Sequence, residues 1–167
     1  MPYPICEVCL NSEILCNACK NKLDKGMINE TEINISRFLY NLGSKVRGLK
    51  EIKLIKAVDV GVLLIVTGPG DAAKVVGKSG AVVKILAKEF KKPIRVVEEA
   101  ENLRKFVQDM ISPVTVMGIN TLYTPEGEVY RIRIPTSQRN SLTINPENFS
   151  SIIHNLYNRN VQIIFED

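Results

Sequence analysis

Gly77-Lys78-Ser79-Gly80 stands between two apolar segments, residues 72–76 and 81–90, and no other stretch of the chain constrains its fold as tightly. Glycines at both ends let a short loop turn tightly and let the backbone come close to a ligand. Lys78 and Ser79 between them are flexible or small donors. The loop ends where a helix begins, so free backbone N–H groups and the positive helix end face whatever binds. Charge concentrates here as well. Residues 71–95 hold seven bases (Lys74, Lys78, Lys84, Lys88, Lys91, Lys92, Arg95) and only two acids, Asp71 and Glu89. Basic residues on a helix are often only a solvated face. Around a loop of this kind they draw a polyanion.

Gly77-Lys78-Ser79 is also the end of a Walker A loop, Gly-x-x-x-x-Gly-Lys-Ser. That motif requires a glycine at position 72, which is Ala72, and Gly68 and Gly70 lie too far upstream. Residues 71–76 read as helix, not as an open phosphate-wrapping loop. A nucleotide-binding enzyme is therefore a distant alternative. A plain helix–helix turn is the other.

All four cysteines fall within fourteen residues, as Cys6-x2-Cys9-x6-Cys16-x2-Cys19. Each Cys-x2-Cys turn offers two thiolates to one metal, and two turns complete a tetrahedral zinc site. A segment this short buries too little apolar area to hold itself together, so ligation supplies the missing folding free energy. Four thiolates leave no open position for catalysis. Paired disulfides and a redox Cys-x-x-Cys are the competing readings. A cytoplasmic setting disfavours the first, and the lack of a thioredoxin-like pattern disfavours the second. His154, the one histidine, lies far away in an amphipathic segment and reads as a surface residue.

The chain has 167 residues, 45% of them hydrophobic, and a net charge of +4. No apolar run reaches the ~18 residues of a membrane span. Met1-Pro2-Tyr3-Pro4 lacks the basic and apolar regions of a signal peptide. A cytoplasmic protein without membrane contact is expected. One histidine, no Ser/His/Asp set and no spare thiol argue against an enzyme.

Periodicity predicts a helix over residues 30–46 ended by Gly48, strands over 51–60 and 62–66, a turn at Gly68-Pro69-Gly70, and a helix on each side of the glycine loop. Pro93 breaks the second of these, and a strand follows over 94–97. Shifted by 67 positions, this region overlays the C-terminal part without a gap. Leu86, Phe90, Ile94 and Val96 meet Ile153, Tyr157, Val161 and Ile163, positions a helix and strand would bury. Thr124-Pro125-Glu126-Gly127 joins two strands of this second copy. Gly77 and Gly80 meet Ile144 and Glu147, so the frame persists and the loop does not. An unrelated α+β appendage is the alternative.

Residues 75–83 resemble the signature of KH modules, whose GxxG loop between two helices clamps the backbone of single-stranded nucleic acid. The element order over 30–98 resembles the type II, bacterial-style arrangement. With Cys6-x2-Cys9 and Cys16-x2-Cys19 ahead of it, the chain resembles archaeal NusA-like KH-domain proteins, transcription elongation or termination factors. The resemblance implies an α+β protein in three parts: a four-cysteine zinc knuckle (1–29), a type II KH domain of order α-β-β-α-GxxG-α-β (30–98), and a degenerate KH-like β-β-α-β unit without GxxG (99–167). It implies binding of single-stranded RNA through Val75, Val76, Gly77, Lys78, Ser79, Gly80, Lys84 and Arg95, beside RNA polymerase or the ribosome. Phosphates would sit over the amides of residues 78–81. Val75, Val76, Val83 and Val96 would wall a groove for bases, with Arg95 at its rim. The main rival is a protein-interaction adaptor docking through the knuckle and the C-terminal unit. Lacking a second GxxG, the chain departs from paired-KH NusA proteins, which puts a continuous two-module RNA track in doubt.

Overall fold

The computed structural model describes residues 3–100 and 102–167; the reading of Met1 and Pro2 as no part of a signal peptide lies outside them. The chain divides into two compact units, Met1–Glu99 and Ala100–Asp167, each of mixed α+β structure. Among the described residues no helix is long and apolar enough to cross a membrane.

In the first unit two short helices, α1 (Glu7–Leu10) and α2 (Asn17–Asp24), precede the long α3 (Glu30–Leu42). Asn29 starts α3 with a capping box: its side chain accepts from the Glu32 N–H at 2.8 Å, and the Glu32 carboxylate accepts from the Asn29 N–H. Glu32 is buried, which pushes its carboxyl pKa up, while Lys56, 3.9 Å away, opposes the shift. The helix ends at Gly43, earlier than the expected 46. Gly48, at φ 92, then leads into a 3-10 turn at Leu49–Glu51, which takes the first residue of the strand expected over 51–60. Strands β1 (Leu54–Asp59), β2 (Leu63–Thr67) and β3 (Ile94–Glu98) form a sheet in that order, β1 antiparallel and β3 parallel to β2. Helices α4 (Ala72–Val76) and α5 (Ala81–Phe90) make the crossover from β2 to β3. Every residue of β2 is buried, as a central strand requires. The core joins Ile5, Leu10, Ile33, Leu39, Leu49, Ile65 and Leu86 in one cluster. The cysteine segment therefore shares a core with residues 30–98.

The second unit repeats the plan. Helix α6 (Leu103–Ile111) leads, then β4 (Gly118–Thr124), β5 (Gly127–Pro135), a 3-10 stretch at Thr136–Ser141, α7 (Pro146–Tyr157) and β6 (Asn160–Glu166). Sheet order is β4-β5-β6, antiparallel then parallel. The expected β-β-α-β order omitted α6, although Phe106, Val107, Met110 and Ile111 give it a buried face at helical spacing.

The shift of 67 holds to the residue in the parallel pairing. Leu63 pairs with Ile94 and Tyr130 with Val161; Thr67 pairs with Glu98 and Ile134 with Phe165. Leu86 and Ile153 are both fully buried, while Phe90 and Tyr157 are both half-buried. The antiparallel hairpins differ. Asp59 faces Leu63 in the first, whereas Thr121 faces Tyr130 in the second, so the second hairpin runs on past the shared frame.

Candidate metal centre and nucleic-acid interface

Cys6 and Cys16 each precede a helix in extended backbone, with φ/ψ of −73/164 and −70/166. One helical turn later Cys9 and Cys19 return to the same side. The four Sγ atoms lie within 4.8 Å of one another, with Cys6 Sγ 3.4 Å from Cys9 Sγ and 3.8 Å from Cys16 Sγ. Thiolates bound tetrahedrally at ~2.3 Å stand about 3.8 Å apart, so the set fits a metal ion. All four cysteines are free thiols.

The two turns cross-brace. The Cys16 N–H donates to Cys9 Sγ at 3.1 Å and the Cys6 N–H to Cys19 Sγ at 3.4 Å. Burial pushes the Cys9 thiol up to about 12 and raises that of Cys19, whereas the N–H of Cys19 holds Cys16 down to about 7. A metal must displace the protons the buried thiols keep, so uptake releases protons. Residues outside the motif fix the segment: Arg37 Nε donates to the Cys9 carbonyl at 3.0 Å, and the Tyr3 hydroxyl donates to the Leu49 carbonyl. The spacing of the cysteines gave no hint of Arg37 or Tyr3.

The glycine loop is built by its backbone. Gly77 has φ 80 and ψ 170, and a Cβ there would lie 2.6 Å from Val82 Cγ2 and 2.7 Å from the Val82 nitrogen. Only glycine meets both conditions. Ser79 (φ 55) and Gly80 (φ 75) follow in left-handed conformation. The Gly80 N–H donates to the Gly77 carbonyl at 3.1 Å, and α5 then starts with no side-chain cap. The Ala81 N–H donates to the Lys78 carbonyl, so the loop amides left for a ligand are those of Lys78 and Ser79. At the other end of α4 the Glu98 carboxylate accepts from the Gly70 and Ala72 N–H groups at 3.0 and 3.4 Å, a brace with no motif in the sequence to announce it.

Lys78, Ser79 and Lys84 are exposed, and Val76, Gly77, Gly80 and Arg95 are half-buried around them. Val75 differs from expectation. It is fully buried in the core and supports the loop from behind, so it forms no wall of a groove. Val83 remains half-exposed on α5, whereas Val96 packs with Ile94 against the core cluster and, like Val75, differs from the expected groove wall. Of the seven bases, Lys74 pairs with Asp71 at 3.2 Å and Lys92 pairs with Asp59. Lys78, Lys84, Lys88, Lys91 and Arg95 have no carboxylate partner among the described residues, so their charge is free for a polyanion.

In the second unit Ile144 is buried where the first has Gly77. Asn145 accepts from the Glu147 N–H at 2.8 Å, and Pro146 opens α7. The helix end that stays open in α5 is closed here by its own side chain. His154 is exposed on α7.

No protein-family model matches the chain, and no curated protein does. Among solved structures the chain is similar to the crystal structure of APE1850, with a TM-score of 0.56 and 16% identity, over 78% of this chain and 96% of that one. At that identity the likeness is one of fold alone.

Proposed function

We propose that residues 30–98 form a type II KH domain that binds single-stranded RNA, and that the protein is a NusA-like factor acting in transcription elongation or termination in the cytoplasm. The observation that carries this reading is the loop of residues 77–80. Its backbone is held open by two positive-φ glycines at the uncapped start of α5, amid bases without acid partners. Phosphates lie over the amides of Lys78 and Ser79, since those of Gly80 and Ala81 are taken within the loop, and the Lys78 ammonium adds a salt-sensitive attraction. Val76 and Val83 offer apolar contact to bases. No aromatic side chain stands in the loop, so ring stacking contributes little and one such unit binds modestly. Residues 99–167 are a KH-like unit that has lost the clamp. The metal is zinc, held by Cys6, Cys9, Cys16 and Cys19 in a structural role, and the protein is not an enzyme. Helix α4 occupies residues 72–76, where a nucleotide-binding loop would have to wrap phosphate.

An adaptor that docks on RNA polymerase or the ribosome is the second reading. It is favoured by Val8, Ile14 and Met27, which stand 71%, 79% and 64% exposed in and beside the cysteine segment.

Replacing Lys78 and Ser79 together by Asp sets two carboxylates where phosphate is held. Affinity for short single-stranded RNA is expected to fall about tenfold or more, roughly 1.4 kcal/mol. Both side chains are exposed, so the fold survives. Unchanged fluorescence anisotropy titrations at low salt would leave the adaptor reading standing alone.

A further inference from the structure

The second sheet carries a feature that the loss of the glycine loop does not explain. Arg131 and Arg133 occupy the frame positions of Leu64 and Val66, two fully buried aliphatic residues of the first sheet. They share one face of β5, two residues apart, a spacing of about 6.8 Å. That is of the order of the distance between successive phosphates along an extended single strand. Across the ladder Arg131 pairs with Asn120 on β4 and Gln162 on β6, and all three side chains are exposed. The row holds an uncharged amide on each side of the cation and no acid. Arg133 lies one step along. A Cβ on its partner Gly118 would stand 2.3 Å from Nη2, so the glycine makes room for the guanidinium. Glu166 takes Nη1 at 3.0 Å and fixes the fork, while the buried Nε has no partner. Asn120, Arg131, Arg133, Ile164 and Glu166 enclose a cleft of about 130 Å3, room for a phosphate group.

We propose that this face of the second sheet is a separate contact for single-stranded RNA. Arg131 holds phosphate, with the guanidinium of Arg133 fixed one step along the strand, and the amides of Asn120 and Gln162 meet the edge of an adjoining base. The inference rests on RNA being the ligand of the protein but not on the glycine loop. Guanidinium planes and side-chain amides on an open sheet suit unpaired bases, which offer a flat face for stacking and free edges for hydrogen bonds. Side-chain amides both donate and accept, and base edges use both, whereas the carboxylates of an acidic protein only accept.

The test is an NMR titration of the full chain with a short single-stranded RNA, run on the parent, on the Lys78→Asp/Ser79→Asp variant and on Arg131→Glu. Amide shifts at Asn120, Arg131 and Gln162 are expected in the parent and are expected to persist in the loop variant. Arg131→Glu is expected to abolish them, leave those at residues 76–84, and weaken affinity roughly tenfold, with a salt slope shallower by about 0.7 per phosphate released. Arg131 is exposed and bonded to no other side chain among the described residues, so the variant folds, which its melting curve checks. A silent sheet beside a responding loop overturns this inference and leaves the proposed function intact. A responding sheet beside a silent loop supports it and removes the loop from that function. Silence at both overturns both. Equal shifts at the sheet with poly-aspartate at the same salt overturn the choice of RNA over an acidic protein.

Discussion

Residues 81–98 and 148–165 are built alike and used differently. Five residue pairs of the parallel ladder keep one register under the shift of 67. Both helices end on a non-glycine residue in left-handed conformation at the same frame position, Lys91 at φ 57 and Asn158 at φ 54. Ahead of the helices the likeness stops. The first unit spends its tightest turn on two glycines and leaves a helix end uncapped; the second buries Ile144 and caps with Asn145. Apolar spacing along one helix and one strand therefore suffices to preserve the scaffold. The loop can differ between the units, because the register is set by the helix and strand residues that both units bury, and Lys78–Gly80 of the first unit bury none.

The sharpest difference between the units is a four-cysteine cluster that could hold a metal ion. Cys9 and Cys19 belong to the same buried cluster as Ile33, Leu39 and Leu49, whereas the second unit has no cysteine. Structural zinc sites supply folding free energy on the order of 10 kcal/mol. Chelation, or Cys9→Ser, is expected to strip hydrogen-exchange protection from residues 5–24 and to weaken α3, which is bonded to them through Arg37. The β4–β5–β6 ladder keeps its protection. Equal losses in both units, or none in either, would mean that the cysteines do not organise the first unit through a metal.

A second contrast sits at one frame position, Gly77 against Ile144. Gly77→Ala sets a Cβ against the Val82 backbone at a φ that L side chains avoid. Ile144→Ala empties a buried site. Each is expected to destabilise its own unit by about 2–4 kcal/mol, by strain in the first case and by a cavity in the second. Urea unfolding followed by NMR signals of each unit checks this. Tolerance of alanine at Gly77 would mean that the loop is more plastic than its geometry implies, and the clamp would lose its structural basis.

What the sequence disclosed follows the same division. Helix and strand positions were legible because burial imposes a period: Leu86, Ile153 and the strands they face follow from spacing alone. The metal site was legible because ligand chemistry fixes the spacing of Cys6, Cys9, Cys16 and Cys19. Gly77 and Gly80 announced a turn, but Val75 was misplaced because an apolar residue beside a loop reads equally well as wall or as core. Gly43 ended α3 where Gly48 was expected to, since the spacing of Leu42 and Val46 stays helical across the break. Long-range braces such as Glu98 to the start of α4 and Arg37 to the Cys9 carbonyl had no local signal. Their partners are set by tertiary structure, 26 and 28 residues away.

The smallest expected effect tests the deepest part of the likeness, the residue that ends each crossover helix. A left-handed backbone costs an ordinary L residue about 1–2 kcal/mol, less for Asn, whose short side chain hydrogen-bonds locally. The second unit uses Asn158 there; the first uses Lys91. Both are exposed, and Lys91 has no ion pair among the described residues, so exchange of side chains at these sites isolates the backbone term. Lys91→Asn is expected to stabilise the first unit by about 0.5–1 kcal/mol, and Asn158→Lys to destabilise the second by a similar amount. Opposite signs of matched size in chemical denaturation are what one shared conformation at the two sites requires. If Lys91→Asn proved neutral while Asn158→Lys remained costly, the two helix ends would be under different constraints. The shared frame would then stop at the strands.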